Sequence, residues 1–334
     1  MRVLVTGGAG YIGAIAARIL LDAGYDIAVL DTLERGRRKA VDGRATLFVG
    51  DVGDPQIVRA ALRDCAAVIH LAGYAEVAES QRFPEKYFDN NVTRPTRMLE
   101  EMVCAGVRDI VFSSTCSVYG EPAQVPIIES DTAKPINAYG SSKLEFEALL
   151  RQYSAEHALR PLVLRYFNVV GALPDGTLGE HHDPESHIVP LILRAALSGE
   201  HRFEVYGNDY PTRDGTCVRD YIHVVDLVNA HRLSLEYLLA GGQPQVVNLG
   251  NGQGSSNLEV VDTCSEVTGV HFDIEFGPRR AGDPATLVAS NDRAGRVLGW
   301  RPERGLREAV SDAWRWHRVH GASSGGTPES VPLH

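Results

Sequence analysis

The stretch "RVLVTGGAGYIGAIAARILLDAG", residues 2–24, joins a short apolar run to a helical pattern through three closely spaced glycines. Residues 2–6 are typical of a strand that is buried on both faces, and residues 11–23 have helical spacing. Gly7, Gly10 and Gly13 allow a tight turn between them and let a diphosphate approach the helix N-terminus. The stretch therefore predicts a strand, turn and helix unit that binds a nucleotide.

This alternation of strand and helix continues to about residue 165. Six β-branched runs are predicted strands: 2–6, 26–30, 45–50, 66–72, 108–114 and 160–167. The segments between them predict helices: 11–23, 54–63, roughly 80–105 and 140–157. Such alternation favours a doubly wound parallel α/β sheet of the Rossmann type, with helices on both faces.

The second half of the chain has a looser pattern, rich in Gly, Pro, Asp and His. Helices are predicted near four segments: 188–199, 224–240, 257–268 and 305–320. We therefore expect a nucleotide-binding domain over 1–167 and a smaller C-terminal α/β substrate region over 168–320, interleaved with the sheet. The Gly, Ser and Pro rich tail, 321–334, predicts disorder.

Composition excludes several classes of function. The 334 residues are 44% hydrophobic and 23% charged, without an apolar run long enough to span a membrane. The start lacks the pattern of a signal peptide, and the five cysteines form no CxxC pair, which predicts a cytoplasmic protein without disulfides or a metal site. A net charge of −10 argues against nucleic acid, and the basic run at 35–39 is interpreted as a solvated loop.

Two acidic residues at strand ends refine the nucleotide prediction. Asp31 ends the second strand, where a carboxylate accepts hydrogen bonds from an adenosine ribose. Its charge would repel a 2′-phosphate, so we expect NAD rather than NADP. Asp51 and Val52 follow the third strand, where they either flank the adenine or form a plain turn.

A group suited to proton transfer follows the fifth strand. In "SSTCSVYG" (113–120), Thr115 lies at the carboxyl end of that strand and is expected to face the cofactor. In "NAYGSSKLEF" (137–146), Tyr139 and Lys143 are four residues apart and share one helix face. An ammonium and a nicotinamide ring would both lower the pKa of the phenol from about 10, making it a useful base.

The glycine turn, the strand-end hydroxyl and the YxxxK pair resemble the extended short-chain dehydrogenase/reductase family. Within that family, further segments resemble the UDP-glucose 4-epimerases: "DNNV" (89–92), "FSSTCSVYG" (112–120), "LRYFNVVGA" (164–172), "YGNDYPTRDGTCVRDYIHVVDL" (206–227) and "NLGNG" (248–252). The likeness covers about residues 1–316, and its long central string is the most specific part.

The resemblance implies reversible C4 epimerisation of a UDP-hexose, through a 4-keto sugar and with tightly bound NAD. Tyr139 would take the O4 proton, Thr115 would bridge O4 and the phenol, and Lys143 completes the catalytic set. The predicted cofactor contacts are Gly7, Gly10, Tyr11, Ile12, Gly13, Asp31, Asp51, Val52, Leu71, Ala72, Gly73, Asn90, Ser113, Tyr139, Lys143 and Phe167. The predicted substrate contacts are Thr115, Asn168, His187, Tyr206, Arg219, Tyr221, Arg280, Asp283 and Leu287.

At three positions the chain departs from the family pattern or leaves it undecided. Ala75 stands where many relatives have a Lys near the cofactor. His187 stands where some relatives have a substrate-binding Asn, and it could equally be a plain loop histidine. Leu287 occupies a position whose bulk gates N-acetylated sugars, and its intermediate size does not decide between substrates.

Rival functions share much of this pattern. A 4,6-dehydratase needs an acid pair after Thr115, whereas this chain has Cys116 and Ser117, which argues against dehydration. An epimerase of another nucleotide sugar, such as a UDP-N-acetylhexosamine, UDP-pentose or UDP-uronate, stays open. A non-catalytic NAD-binding sensor is disfavoured because the Tyr, Lys and hydroxyl set is intact. The family resemblance also predicts a homodimer through helices near 80–105 and 140–157.

Overall fold

The computed structural model describes residues 1–280 and 283–321. Of the predicted disordered tail, 321–334, all but Gly321 lies outside the described residues. None of the described helices is both long and apolar enough to cross a lipid bilayer.

The described chain alternates strands and helices along most of its length. The strands are β1 Arg2–Thr6, β2 Asp26–Asp31, β3 Thr46–Val49, β4 Cys65–His70, β5 Asp109–Thr115, β6 Arg160–Tyr166, β7 Asn168–Val170, β8 Arg202–Tyr206, β9 Val218–Arg219, β10 Tyr221–His223, β11 Gln245–Leu249, β12 Ser255–Ser256, β13 Asp273–Gly277 and β14 Thr286–Leu287. The helices are α1 Tyr11–Asp22, α2 Pro55–Ala61, α3 Val77–Arg82, α4 Pro84–Phe88, α5 Arg94–Ala105, α6 Ala138–His157, α7 Ile188–Ser198, α8 Val224–Leu239, α9 Asn257–Thr268, α10 Asp292–Leu298 and α11 Leu306–His320.

Seven strands form one parallel sheet in the order β11-β6-β5-β4-β1-β2-β3. From β1 the chain adds β2 and then β3 on one side. It then crosses to β4, on the other side of β1, and adds β5, β6 and finally β11 there. Ligands bind in such sheets where this reversal opens a crevice at the carboxyl ends of the strands. The predicted doubly wound fold is confirmed, and the crevice lies between β1 and β4.

Alternation along β1 divides the core into two layers. Val3 and Val5 face one side of the sheet and pack with residues of α1 and α8. Leu4 faces the other side and packs with residues of α2, α5 and α6. Each fully buried aliphatic side chain of this kind contributes roughly 1.5 to 3 kcal/mol, so both helical layers are fixed firmly to the sheet.

The six predicted strands are present, with ends that differ by one or two residues. The helix predicted over 80–105 was wrong in detail, because three helices and a π-helical turn, Asp89–Thr93, occupy that region. Pro84 begins α4 after Phe83 leaves the helical conformation, since proline suits a helix start and breaks a helix interior. The edge strand β11 and helix α10 were not predicted.

The C-terminal region has a core of its own beyond the crevice. Helices α7, α9 and α11 pack around a third apolar cluster, next to the parallel pair β8 and β13. This region faces the carboxyl ends of the central strands across a cleft. Meanwhile β11 adds to the main sheet and α8 packs against it, so the two parts of the chain are interleaved.

Candidate active site

A cleft of about 760 Å³ separates the sheet from the C-terminal region. Both halves of the chain line it. The predicted site residues among its lining are Gly7, Gly10, Tyr11, Ile12, Gly13, Asp31, Asp51, Val52, Leu71, Ala72, Gly73, Asn90, Thr115, Tyr139, Phe167, Asn168, His187, Tyr206, Arg219, Tyr221, Arg280 and Asp283. The structure therefore brings together most of the residues that the sequence predicted for the two ligands.

The glycine turn leaves room for a ligand because its backbone is packed without side chains. Gly7 has φ +69, and a Cβ there would lie 2.7 Å from the backbone nitrogen of Ala72. A Cβ on Gly13 would overlap the carbonyl oxygen of Gly7. This close packing at the start of α1 suits a diphosphate held against backbone N–H groups, so the residues present fit a dinucleotide.

Asp31 lies at the end of β2 with its carboxylate fixed by the backbone. It is 8% exposed, and it accepts hydrogen bonds from the amides of Ala9 at 2.9 Å and Leu33 at 2.8 Å. Each carboxylate oxygen retains a lone pair for a further donor. Asp51 differs, because its carboxylate pairs with Arg94 at 2.6 Å, and it shares the cleft wall with Val52.

Tyr139 and Thr115 are brought together by the start of α6. The side chain of Asn137 caps this helix by accepting from the amide of Gly140 at 2.7 Å. A Cβ on Gly140 would lie 2.5 Å from the carbonyl oxygen of Ser117, so glycine allows α6 to begin against the turn that follows β5. That contact places the phenol beside the strand-end hydroxyl.

The pKa of the Tyr139 phenol is raised in the structure, whereas the sequence predicted that it is lowered. Burial raises the pKa of Tyr139 well above its ordinary value, Tyr166 adds to the rise, and the hydrogen bond with Thr115 opposes it. The largest influences on this pKa do not include Lys143, so the lowering predicted from its ammonium together with a nicotinamide ring stays a prediction.

Lys143 lies behind the cleft wall rather than in the lining. It is 5% exposed, its ammonium donates to the carbonyl of Ser113 at 3.0 Å, and it lies 5.0 Å from the ring centroid of Phe112. Burial lowers the pKa of Lys143 to about 8, while Glu147, one helical turn further on, opposes the change. Ser113 is equally buried, so its contribution here is a backbone acceptor.

Four predicted substrate contacts form two pairs across the C-terminal region. Arg219 donates to the carboxylate of Asp283, and it also donates to the carbonyl of Val218 at 2.8 Å. Arg280 lies over the ring of Tyr206, 4.3 Å from its centroid. Each arginine is thus oriented in the cleft wall by a neighbour that was itself predicted to contact the substrate.

The remaining predicted positions have distinct surroundings. Tyr221 is buried and pairs in register with Asn168 between β10 and β7. His187 caps α7 at the cleft wall. Leu287 is buried in an apolar cluster that includes Phe167 and is not among the residues that line the cleft, and its predicted contact with the substrate stays a prediction.

The sequence also left several cleft residues unidentified. Arg35, Arg37 and Lys39 line the cleft, although their run was interpreted only as a solvated loop. Tyr74 crosses toward the same loop and donates to the carboxylate of Glu34 at 2.9 Å. The run of basic residues directly after Asp31 was the available signal, since it follows the strand end that borders the nucleotide turn.

Comparison with known proteins agrees with this geometry. Residues 3–250 match the family described as NAD dependent epimerase/dehydratase. The UDP-glucose 4-epimerase of Lacticaseibacillus casei is 47% identical over 96% of this chain and 98% of that protein.

Two crystal structures of UDP-glucose 4-epimerases superimpose closely. The Brucella ovis protein, in complex with NAD, has a TM-score of 0.91 at 40% identity, over 94% of this chain and 98% of that one. The Bifidobacterium longum protein, in complex with NAD+ and UDP, has a TM-score of 0.90 at 34% identity, over 96% and 99%. The chain belongs to the NAD-dependent epimerase/dehydratase family.

Proposed function

We propose that the protein interconverts UDP-galactose and UDP-glucose by reversible inversion at C4 of the sugar, with NAD as its cofactor. The observation that carries this proposal is the single cleft that joins the glycine turn to Tyr139, Thr115 and the substrate arginines. The full-length similarity to UDP-glucose 4-epimerases supports the same substrate. When bound, NAD accepts a hydride from the sugar carbon and returns it to the opposite face.

The proposed cofactor site uses the N-terminal half of the cleft. The backbone around Gly7, Gly10 and Gly13 holds the diphosphate, and Asp31 accepts the ribose hydroxyls. Basic side chains of the loop that follows Asp31 add positive charge near the phosphates. Asn90 and Phe167, two further predicted cofactor contacts, line the wall beyond them.

The proposed proton transfer takes place at Tyr139. As the phenolate it takes the proton of the sugar O4 when the hydride leaves C4, and as the phenol it gives that proton back when the hydride returns, with Thr115 bridging the two oxygens. Burial raises the pKa of Tyr139, so the phenolate form depends on positive charge nearby. A nearby positive charge favours phenolate, and Lys143 supplies one from behind the wall. Ala75, where many relatives have a second Lys, leaves Lys143 with a larger share of this effect.

The proposed substrate site uses the C-terminal half. Arg219 and Arg280 suit a diphosphate because guanidinium groups bind phosphate oxygens in pairs. Both are already held in place, Arg219 by Asp283 and Arg280 by the ring of Tyr206. Such preorganisation lowers the entropic cost of ordering the arginines when the nucleotide sugar binds.

The organisation of the protein is also part of this proposal. We infer a domain division near residue 167 and a homodimer formed through helices near 80–105 and 140–157. The exposed apolar side chains Val77, Phe83 and Ile136 lie next to those helices and support such a surface. Five unpaired cysteines favour a cytoplasmic location, and the acidic net charge disfavours nucleic acid as a partner.

A panel of nucleotide sugars tests the proposed reaction. Purified protein is incubated with UDP-galactose without added NAD, and the products are separated and identified. UDP-glucose is expected, because tightly bound cofactor returns its hydride within one cycle. Parallel incubations contain UDP-N-acetylgalactosamine, a UDP-pentose and a UDP-uronate. No conversion of UDP-galactose by protein that contains NAD, together with conversion of another sugar, would overturn the UDP-hexose assignment.

A further inference from the structure

Four side chains converge at the cleft wall between β7 and α7. Glu180, His182, Glu185 and His187 each offer one ligand atom, and these atoms all lie within 4.8 Å of one another. The carboxylate of Glu185 accepts from the amides of Ser186 at 2.9 Å and His187 at 3.0 Å. The loop therefore orients this carboxylate through its own backbone, and the group is a built feature of the wall.

Two of the distances within this group match those between the ligands of a tetrahedral ion. Zn²⁺ binds imidazole nitrogen and carboxylate oxygen at about 2.0 to 2.2 Å, which puts neighbouring ligand atoms of a tetrahedron about 3.3 to 3.6 Å apart. Nδ1 of His182 lies 3.3 Å from Oε1 of Glu180 and 3.6 Å from Oε1 of Glu185. Oε1 of Glu180 and Nδ1 of His187 are in direct contact, closer than two ligands of one ion, so they would move apart on binding. Two nitrogens and two oxygens are a donor set that suits zinc.

The group combines two buried carboxylates with an imidazole nitrogen that has no hydrogen bond within the described part of the chain. The side chains of Glu180 and Glu185 are 4% and 1% exposed, and two buried carboxylates so close together repel each other unless cationic groups lie near them. Arg194 reaches Glu185, at 3.4 Å. Nδ1 of His182 is buried without a hydrogen-bond partner among the described residues. A metal ion would offset the repulsion between the carboxylates and bind this nitrogen.

We propose that Glu180, His182, Glu185 and His187 bind one divalent transition-metal ion, with Zn²⁺ as the best chemical fit, and that the ion cross-links the cleft wall before α7. The prediction of no metal site rests on the cysteines alone, and this set contains none. His187 becomes a metal ligand in this proposal, and the substrate contact that the family resemblance implied for it is then indirect. The ion holds the loop and takes no part in the redox chemistry at C4.

Zinc binding by the full chain tests the proposal directly. Protein without an affinity tag is treated with a chelator, dialysed, and titrated with Zn²⁺ by calorimetry. One equivalent per chain is expected. His182→Asn and Glu185→Gln are each expected to weaken binding by more than about 100-fold, since even outer-shell changes weaken metal sites by about 10 to 100-fold. His181→Asn is the matched control, because this neighbouring ring packs near Trp316 instead, and it should bind Zn²⁺ like the wild type.

X-ray absorption of the zinc-loaded wild type gives a second measurement that does not depend on how the variants fold. Only nitrogen and oxygen neighbours at about 2.0 to 2.2 Å are expected. Absence of stoichiometric binding by the wild type would overturn the proposal, and so would unchanged binding by folded His182→Asn. Either result would identify the four residues as an ion-pair network, in which Glu180 and Glu185 are neutralised by protonated histidines.

Discussion

Replacing Lys143 by Met is expected to change how the stability of the protein depends on pH. The ammonium of Lys143 is buried and has the carbonyl of Ser113 as its acceptor. Burial lowers its pKa from 10.5 to about 8, against the opposing effect of Glu147. The folded protein therefore carries a charge that the unfolded chain solvates better.

The size and sign of the effect follow from these two pKa values. Each pKa unit is worth about 1.36 kcal/mol, so the difference between 10.5 and about 8 corresponds to roughly 3 kcal/mol of destabilisation at low pH. Below about pH 8 the lysine is protonated in both states, and the full penalty is present. Between about pH 8 and pH 10.5 the unfolded chain binds more protons, so wild-type stability rises with pH. Methionine does not titrate. The amount by which the free energy of unfolding of the wild type falls below that of Lys143→Met should therefore shrink by about 2 kcal/mol between about pH 7 and pH 9.5.

Urea unfolding of nucleotide-free protein measures this change. Unfolding free energies of the wild type and Lys143→Met are compared by circular dichroism across the pH series. The hydrogen bond to Ser113 is donated by the titrating group itself, so its pH dependence is already part of the folded-state pKa, whereas the change in packing on substitution does not vary with pH and cancels in the trend. Lys134→Met, at an exposed position, should show a difference that does not vary with pH. A Lys143→Met difference that stays constant to within about 0.5 kcal/mol, or grows with pH, would refute the reasoning.

Two further substitutions test the cofactor turn and the buried charges. Gly13→Ala should give folded protein that has lost its NAD, because the new Cβ would overlap the carbonyl of Gly7; a normal NAD content after purification would contradict this. Arg165→Met should lower the free energy of unfolding by about 3 to 5 kcal/mol, because it leaves the fully buried carboxylate of Glu147 without its partner at 2.6 Å. Arg59→Met, which removes an exposed partner, should lower it by less than about 1 kcal/mol, and equal losses for the two arginines would show that burial does not set the penalty.

The N-terminal half was predictable because its signals are local. Each buried strand is a short β-branched run, and the site residues Asp31 and Thr115 follow directly from their places at strand ends. The edge strand β11 was missed because its place in the sheet depends on a long crossover through α8, which no local pattern shows. The split of the 80–105 helix depends on Pro84 and a π-helical turn, and the second of these has no clear sequence signal.

The substrate half was less predictable because its contacts join distant segments. Arg219 and Asp283 are 64 residues apart and meet only in the folded chain. The family resemblance identified both of them, but it did not indicate that they pair. Lys143 was placed near Tyr139 from helical spacing alone, whereas the fold offers its ammonium the carbonyl of Ser113. Spacing therefore predicted the shared helix face and not the hydrogen bond.

Turnover of UDP-galactose by Tyr139→Phe tests the central claim most directly. The variant keeps the ring and loses only the hydroxyl that holds the O4 proton. Its rate of UDP-glucose formation should fall by at least about 100-fold, the usual contribution of a positioned acid-base group, while its NAD content stays normal. Tyr153→Phe, on the same helix but partly buried against the core, should keep the wild-type rate. A Tyr139→Phe rate close to that of the wild type would contradict the assignment of this phenol as the proton carrier.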